Sequence, residues 1–305
     1  MKKIFVILLI FAILLAVSAP AFAVWDMEED AVLASAPAYT AEVDARACIL
    51  MDAKTGEILF EKNADEALPP ASVTKVMTML LVFEAIDAGL LSYTDMISVS
   101  ENAASMGGSQ IYLAPGEKMS VNDLLKGLIV ASGNDAAVAL AEAIAGSEEA
   151  FVAKMNARAA ELGMKNTHFE NTNGLDDTAE NHLISARDIA IATREVLKHP
   201  KVLEYSSIWM DTIRDGAFGL TNTNRLIRFY DGATGLKTGS TSKAKFCISA
   251  TAERGGLSLI AVIMGSSTRD TRNELAKSLF DFGFANYACY PIPRRKCRRF
   301  VLRAA

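Results

Sequence analysis

The chain has 305 residues, 51% of them hydrophobic, and a formal net charge of −5 at pH 7. That length holds one large domain or two modest ones with a sizeable core. The acidic balance argues against the basic surface of a nucleic-acid binder, so no nucleic-acid partner is expected.

Lys2 and Lys3 precede an uncharged apolar run over residues 4–17, followed by Ser18-Ala19-Pro20 and the small-residue site Ala21-Phe22-Ala23. This is the pattern of a secretory signal peptide. The apolar run is shorter than the roughly 20 residues a spanning helix needs. Residues 1–23 are therefore expected to be removed after Ala23, with the mature chain working outside the cytoplasm. Residues 24–42, rich in Ala, Glu and Asp, read as a loose leader.

Residues 47–52 and 57–61 read as short strands split by the turn Lys54-Thr55-Gly56. Pro69-Pro70 ends that region, and residues 72–88 carry helical spacing, with Val76, Met79, Leu80 and Phe83 in one stripe. Residues 120–144 carry helical pattern twice, broken at Ser132-Gly133-Asn134. Residues 148–162 and 185–197 read as amphipathic helices, the second opening on Ser185 with Asp188 three positions on. Strands return over 208–213, 246–252 and 257–265, with Arg254-Gly255-Gly256 as a hairpin turn, and residues 273–287 form a closing helix. The order predicts an α/β (α+β) domain whose sheet takes strands from both ends of the domain, with a helical block inserted between them.

Cys48, Cys247, Cys289 and Cys297 fit no C-x-x-C pattern, and His168, His182 and His199 have no metal-ligand spacing, so no metal and no cofactor is expected. Cys48 and Cys247 lie in apolar strand-like runs and read as buried free thiols.

Three short motifs carry chemistry. In Ser72-Val73-Thr74-Lys75 the two outer residues are three apart at a helix start, so Lys75 lies over the Ser72 hydroxyl. A serine hydroxyl needs a base to become a nucleophile, and a lysine serves only if burial or a neighbouring cation lowers its pKa. In Ser132-Gly133-Asn134, the glycine permits an unusual interhelix turn, Ser132 can shuttle a proton and Asn134 can bind a peptide group. In Lys237-Thr238-Gly239-Ser240, the lysine supplies charge and the hydroxyls suit a carboxylate. Gly239 there leaves room for a substrate backbone along a strand edge. Taken singly, these read as an exposed helix face, a capped turn and a polar edge strand. Together and in this order they match the motif set of penicillin-binding proteins and serine β-lactamases.

The longer motifs narrow the match. Pro70-Ala71-Ser72-Val73-Thr74-Lys75-Val76-Met77-Thr78, Leu113-Ala114-Pro115-Gly116-Glu117, Ser132-Gly133-Asn134-Asp135-Ala136, Asn173-Gly174-Leu175-Asp176 and Asp231-Gly232-Ala233-Thr234-Gly235-Leu236-Lys237-Thr238-Gly239 resemble the low-molecular-mass penicillin-binding proteins, the serine-type D-alanyl-D-alanine carboxypeptidases, over residues 43–287. The resemblance implies the penicillin-binding/β-lactamase-like fold with an antiparallel sheet. It implies that Ser72 attacks the carbonyl between two terminal D-alanines of a peptidoglycan stem peptide, with Lys75 as base and Ser132 as proton relay to the leaving D-alanine. Asn134 would hold the substrate backbone, and Lys237, Thr238, Gly239 and Ser240 would form the carboxylate-binding strand. The backbone N–H groups of Ser72 and Ser240 would form the oxyanion hole. β-Lactam antibiotics would acylate the same serine.

Family members often continue into a β-rich domain and a membrane-holding helix, whereas here the likeness fades after about residue 290 into Arg294-Arg295-Lys296-Cys297-Arg298-Arg299. Residues 288–305 are read as a stub of a missing domain. The alternative is a short basic segment in peripheral contact with a membrane. Rival functions are a serine β-lactamase, an endopeptidase on cross-linked stem peptides, and a non-catalytic peptidoglycan-binding module. A class A β-lactamase adds a glutamate that activates the deacylating water, and Glu170 is no convincing match to it. A non-catalytic module is expected to have lost Ser72, Lys75 or Lys237, and all three are present.

Overall fold

A computed structural model describes residues 38–177, 179–289 and the backbone of 301–302. The expected signal peptide, most of the leader, Cys297 and the basic tail lie outside these residues. In chain order the elements are β1 (Ala47–Asp52), β2 (Ile58–Lys62), a 3₁₀ turn (Ala71–Thr74), α1 (Lys75–Asp87), β3 (Met96–Ser98), α2 (Glu101–Ala104), β4 (Lys118–Ser120), α3 (Val121–Ile129), α4 (Asn134–Ala145) and α5 (Glu148–Glu161). There follow α6 (Ala186–Val196), α7 (Lys201–Ser206), β5 (Met210–Ile213), β6 (Phe218–Thr221), α8 (Leu226–Phe229), β7 (Ala233–Thr241), β8 (Lys245–Arg254), β9 (Leu257–Ser266) and α9 (Arg269–Asn286).

The main sheet has the order β2-β1-β9-β8-β7, and every neighbouring pair is antiparallel. Two strands come from the start of the domain and three from its end, as the sequence order predicts. Side chains on a strand alternate between faces, and here both faces are covered. Ala47, Ile49 and Met51 of β1, with Ile260, Val262 and Met264 of β9, join the core under the helical block. Cys48, Leu50, Leu259, Ala261 and Ile263 join a second core under α9. That double burial is why these strands read as unbroken apolar runs with no polar alternation. Cys48 and Cys247 are buried free thiols, as expected.

The helical block forms where the pattern and caps place it. Ser185 caps α6 by accepting from the Asp188 amide at 3.1 Å. The expected stripe of α1 is buried, but so are Met77, Thr78 and Val82 between its members. A helix buried on most of its circumference is a core helix, and α1 packs against α4 and α6 with β7 across its N-terminal turn. Burial at its head is what removes Lys75 from water. No helix among the described residues is long and apolar enough to cross a membrane.

Candidate active site

Ser72 sits in the 3₁₀ turn, and α1 proper begins at Lys75. With three residues per turn, positions i and i+3 eclipse, so this short turn stacks Lys75 over Ser72 more directly than an α-helix does. Lys75 Nζ is 2.9 Å from Ser72 Oγ, 2.6 Å from Asn134 Oδ1 and 3.0 Å from the Asn173 carbonyl. An ammonium has three protons for these three partners. A neutral amine has two, and two of its partners can only accept. Its lone pair must then face Ser72 Oγ, the one partner with a proton to give. The orientation of the Asn134 amide is fixed, because its Nδ2 donates to the Gly107 carbonyl at 2.7 Å. Lys75 is 0% exposed, and its pKa lies well below the usual lysine value, first through burial and then through the positive charge of Lys237.

The interhelix turn holds a surprise in its backbone. Ser132 has φ +65°, whereas Gly133, the N-cap of α4, has φ −56° and ψ 122°, a conformation any residue adopts. The strain expected at the glycine thus falls on the serine. Gly133 is needed for space, since a Cβ there would lie 2.8 Å from Asp135 Oδ1. The buried Asp135 carboxylate accepts from the amides of Ile111, Leu113 and Ala136 at 2.8–3.1 Å, and Ser109 O accepts from the Asn134 amide at 2.7 Å. These bonds tie residues 107–113 to the head of α4. Both ends of the Asn134 side chain are engaged by protein, so in the structure it positions Lys75 directly, a role the sequence did not suggest.

Lys237 lies in the edge strand β7 and is 1% exposed, with Nζ donating to the Thr238 carbonyl at 2.8 Å. Burial first, and the Arg272 guanidinium second, lower its pKa to about 7. Thr238 Oγ1 donates to Thr223 Oγ1 at 2.8 Å. A Cβ on Gly239 would lie 2.7 Å from the Ser72 amide nitrogen and 3.0 Å from the Pro70 carbonyl. On the side where a Cβ would stand, Gly239 is therefore packed against the main chain of the Ser72 turn. Ser72, Ser132, Thr238, Gly239 and Ser240 line one cleft of about 740 Å³, whose walls also include Ser109, Trp209 and Phe229. Lys75, Asn134 and Lys237 lie buried beside it.

Several participants were not found by sequence reasoning. Arg272 lines the cleft, and Asn173 offers Lys75 only its backbone, which no side-chain motif announces. The Asn173-Gly174 loop presses on the Ser72 turn so closely that a Cβ on Gly174, whose φ is +85°, would fall 1.8 Å from the Ala71 carbonyl. Behind that turn, the buried His182 accepts from the Glu170 amide at Nδ1 (3.0 Å), which leaves Nε2–H to donate to Thr74 Oγ1 (2.7 Å). Glu170 itself is exposed and accepts from the Asn181 amide at 3.2 Å. No group that could hold a metal occurs among the described residues.

A serine meeting a buried, deprotonable lysine beside an edge strand with its own buried lysine defines an active-site-serine acyl-enzyme hydrolase. The chain belongs to the D-alanyl-D-alanine carboxypeptidase family (peptidase S11), whose pattern matches residues 31–268. It is 46% identical over 298 residues to the D-alanyl-D-alanine carboxypeptidase DacF of Bacillus subtilis, covering 97% of this chain and 74% of that one. It is 40% identical over 249 residues to DacC of Escherichia coli, covering 79% of this chain and 62% of the relative. Among solved structures, penicillin-binding protein 6B of Escherichia coli superposes with a TM-score of 0.82 at 36% identity, covering 89% of this chain and 87% of that one. Penicillin-binding protein D2 of Listeria monocytogenes, solved with ampicillin bound, gives 0.73 at 33% identity, covering 80% of this chain and 99% of that one. The expected penicillin-binding fold and the carboxypeptidase family therefore both hold.

Proposed function

We propose that this chain is an extracytoplasmic carboxypeptidase that removes the terminal D-alanine from stem peptides ending in D-Ala-D-Ala, through an ester on Ser72. The observation that carries the reading is the Lys75 Nζ–Ser72 Oγ contact of 2.9 Å inside a site where Lys75 is fully buried. Neutral Lys75 takes the Ser72 proton as Oγ attacks the carbonyl carbon. The developing oxyanion lies between the amides of Ser72 and Ser240, which Gly239 brings together. Lys237, Thr238 and Ser240 receive the terminal carboxylate, and Ser132 passes a proton to the departing amine. Water then cleaves the ester and restores Ser72. The signal-peptide pattern of residues 1–23 supports action outside the cytoplasm.

A β-lactam enters the same attack, a reading supported by the ampicillin held by the Listeria monocytogenes neighbour. No aspartate or glutamate is among the residues that line this cleft, so no carboxylate stands ready to activate a deacylating water. Slow release of bound penicillin is expected, which separates this reading from a β-lactamase. D-Alanine release from a pentapeptide and labelling by a fluorescent penicillin test the proposal, with both lost in Ser72→Ala. Labelling that survives in that variant refutes Ser72 as nucleophile.

A further inference from the structure

The clamp end of the cleft carries more positive charge than one carboxylate uses. Lys237 and Arg272 are buried there, and Arg225 and Arg269 line the same cleft with exposed side chains. Arg225 follows Asn224, whose Nδ2 donates to the Gly235 carbonyl at 2.8 Å and whose Oδ1 accepts from the Leu226 amide at 3.1 Å. Those bonds fix the turn against β7, two residues before Lys237. Arg269 opens α9 one turn ahead of Arg272, and residues three apart share a helix face.

Every other described arginine has a carboxylate, carbonyl, amide or ring partner, as with Arg158 on Glu84, Arg187 on Asp65, Arg214 on Glu117 and Arg228 over Trp209. Arg225 and Arg269 have none among the described residues. Burial and then the repulsion of these two guanidinium groups hold Arg272 down to about 10. The carboxylate nearest in sequence, Asp270, forms no ion pair with either. In a chain of net charge −5, two exposed guanidinium groups beside two buried cations concentrate positive field at this end of the cleft, which draws an anion there.

We propose that Arg225 and Arg269 form a second anion subsite on the leaving-group side of the cleft, which admits D-residues larger than alanine that carry a side-chain carboxylate besides the α-carboxylate. This rests on the carboxypeptidase reading of Ser72. The α-carboxylate of the leaving residue takes the place at Lys237, and its second carboxylate reaches the two arginines. The bonds made and broken are those of the basal reaction. The Ser72 Oγ–acyl bond forms as the amide C–N bond breaks, the Ser72 proton ends on the leaving amine, and water hydrolyses the ester. No further reactant is needed. An acidic D-residue at the peptide terminus belongs to this class, and so does the diacidic leaving stem of a cross-link.

The test compares kcat/KM for four otherwise identical peptides ending in D-Ala-D-Ala, D-Ala-D-Glu, D-Ala-D-Gln and D-Ala-D-Lys. The enzyme is used as wild type and as Arg225→Gln, Arg269→Gln and the double variant. D-Glu is expected to exceed its neutral isostere D-Gln by about tenfold, the effect of one charge-assisted hydrogen bond, with D-Lys the poorest. The double variant brings the D-Glu/D-Gln ratio close to one and leaves D-Ala-D-Ala turnover within about twofold, which also shows that it folds. A wild-type ratio of one or less, or a preference that persists in the double variant, overturns the subsite. An enzyme that fails to release D-alanine from the D-Ala-D-Ala peptide sinks the carboxypeptidase reading instead.

Discussion

Lys75, at the head of α1, and Lys237, in the edge strand β7, are both removed from water beside one cleft, yet they are surrounded differently. Lys75 has three oxygen partners, two of which can only accept. Lys237 has a single backbone carbonyl and the charge of Arg272 nearby. The charge on Lys237 also lowers Lys75. Lys75 is thus built to yield its proton and to aim the vacated lone pair at Ser72, while Lys237 keeps its proton up to about pH 7. The difference teaches that burial alone does not give a lysine its task. The number and kind of its hydrogen-bond partners do.

The contrast can be broken at its base first. Lys75→Ala is expected to lower acylation by a fluorescent penicillin by about 10²–10⁴-fold, with the circular dichroism spectrum unchanged. A near-normal acylation rate moves the base role elsewhere.

The support behind the Ser72 turn comes next in size. Burial lowers His182 from 6.5 to about 4. The unfolded chain therefore binds more protons between these values, and stability is lost as pH falls from about 6.5 to about 4. The loss is about 3 kcal/mol at the low end, the cost of charging a buried imidazole. Urea midpoints measured across that window should show the slope in the wild type and lose it in His182→Gln. Equal slopes in the two proteins dispose of the assignment.

The smallest effect sharpens the contrast between the two lysines. For a D-Ala-D-Ala peptide, kcat/KM needs Lys75 without its proton and Lys237 with its own, and it falls above about 7 as Lys237 loses that proton. One pH unit past that point the loss is about tenfold. Lys237→Arg keeps its charge and should move the falling limb upward. A limb that stays in place assigns it to another group.

Much of this was legible in the sequence, and the parts that were not share a cause. The helices read well because spacing and caps are local, as at Ser185, and β1 and β9 read well because both their faces are buried. Strand β7 was recognised only at its motif. Its nine residues include two glycines and three threonines and show no alternation, because one edge faces the cleft. The short pairs β3–β4 and β5–β6 are too brief to carry a period. At the site, Ser72 and Lys75 are linked by a three-residue spacing that any reading can use. The Asn173 carbonyl reaches Lys75, Thr223 reaches Thr238, His182 reaches Thr74 and Arg272 acts on Lys237, across 15 to 108 positions of chain. Gly133 and Gly239 were both visible as glycines with a purpose, but their close packing against Asp135 and the Ser72 turn was not, because it depends on neighbours brought in by the fold.

The atoms crowding Gly239 belong to the main chain of residues 70–73. A side chain in the way can be traded for a smaller one over generations, but an amide or a carbonyl of the backbone cannot. Trimming a neighbouring side chain therefore makes no room for a methyl group at this position, and an alanine there has to shift the Ser72 turn itself. Trp209, Phe229, Arg225 and Arg269 line the outer cleft with side chains rather than main chain, and it is there that a side-chain change alters the cleft wall.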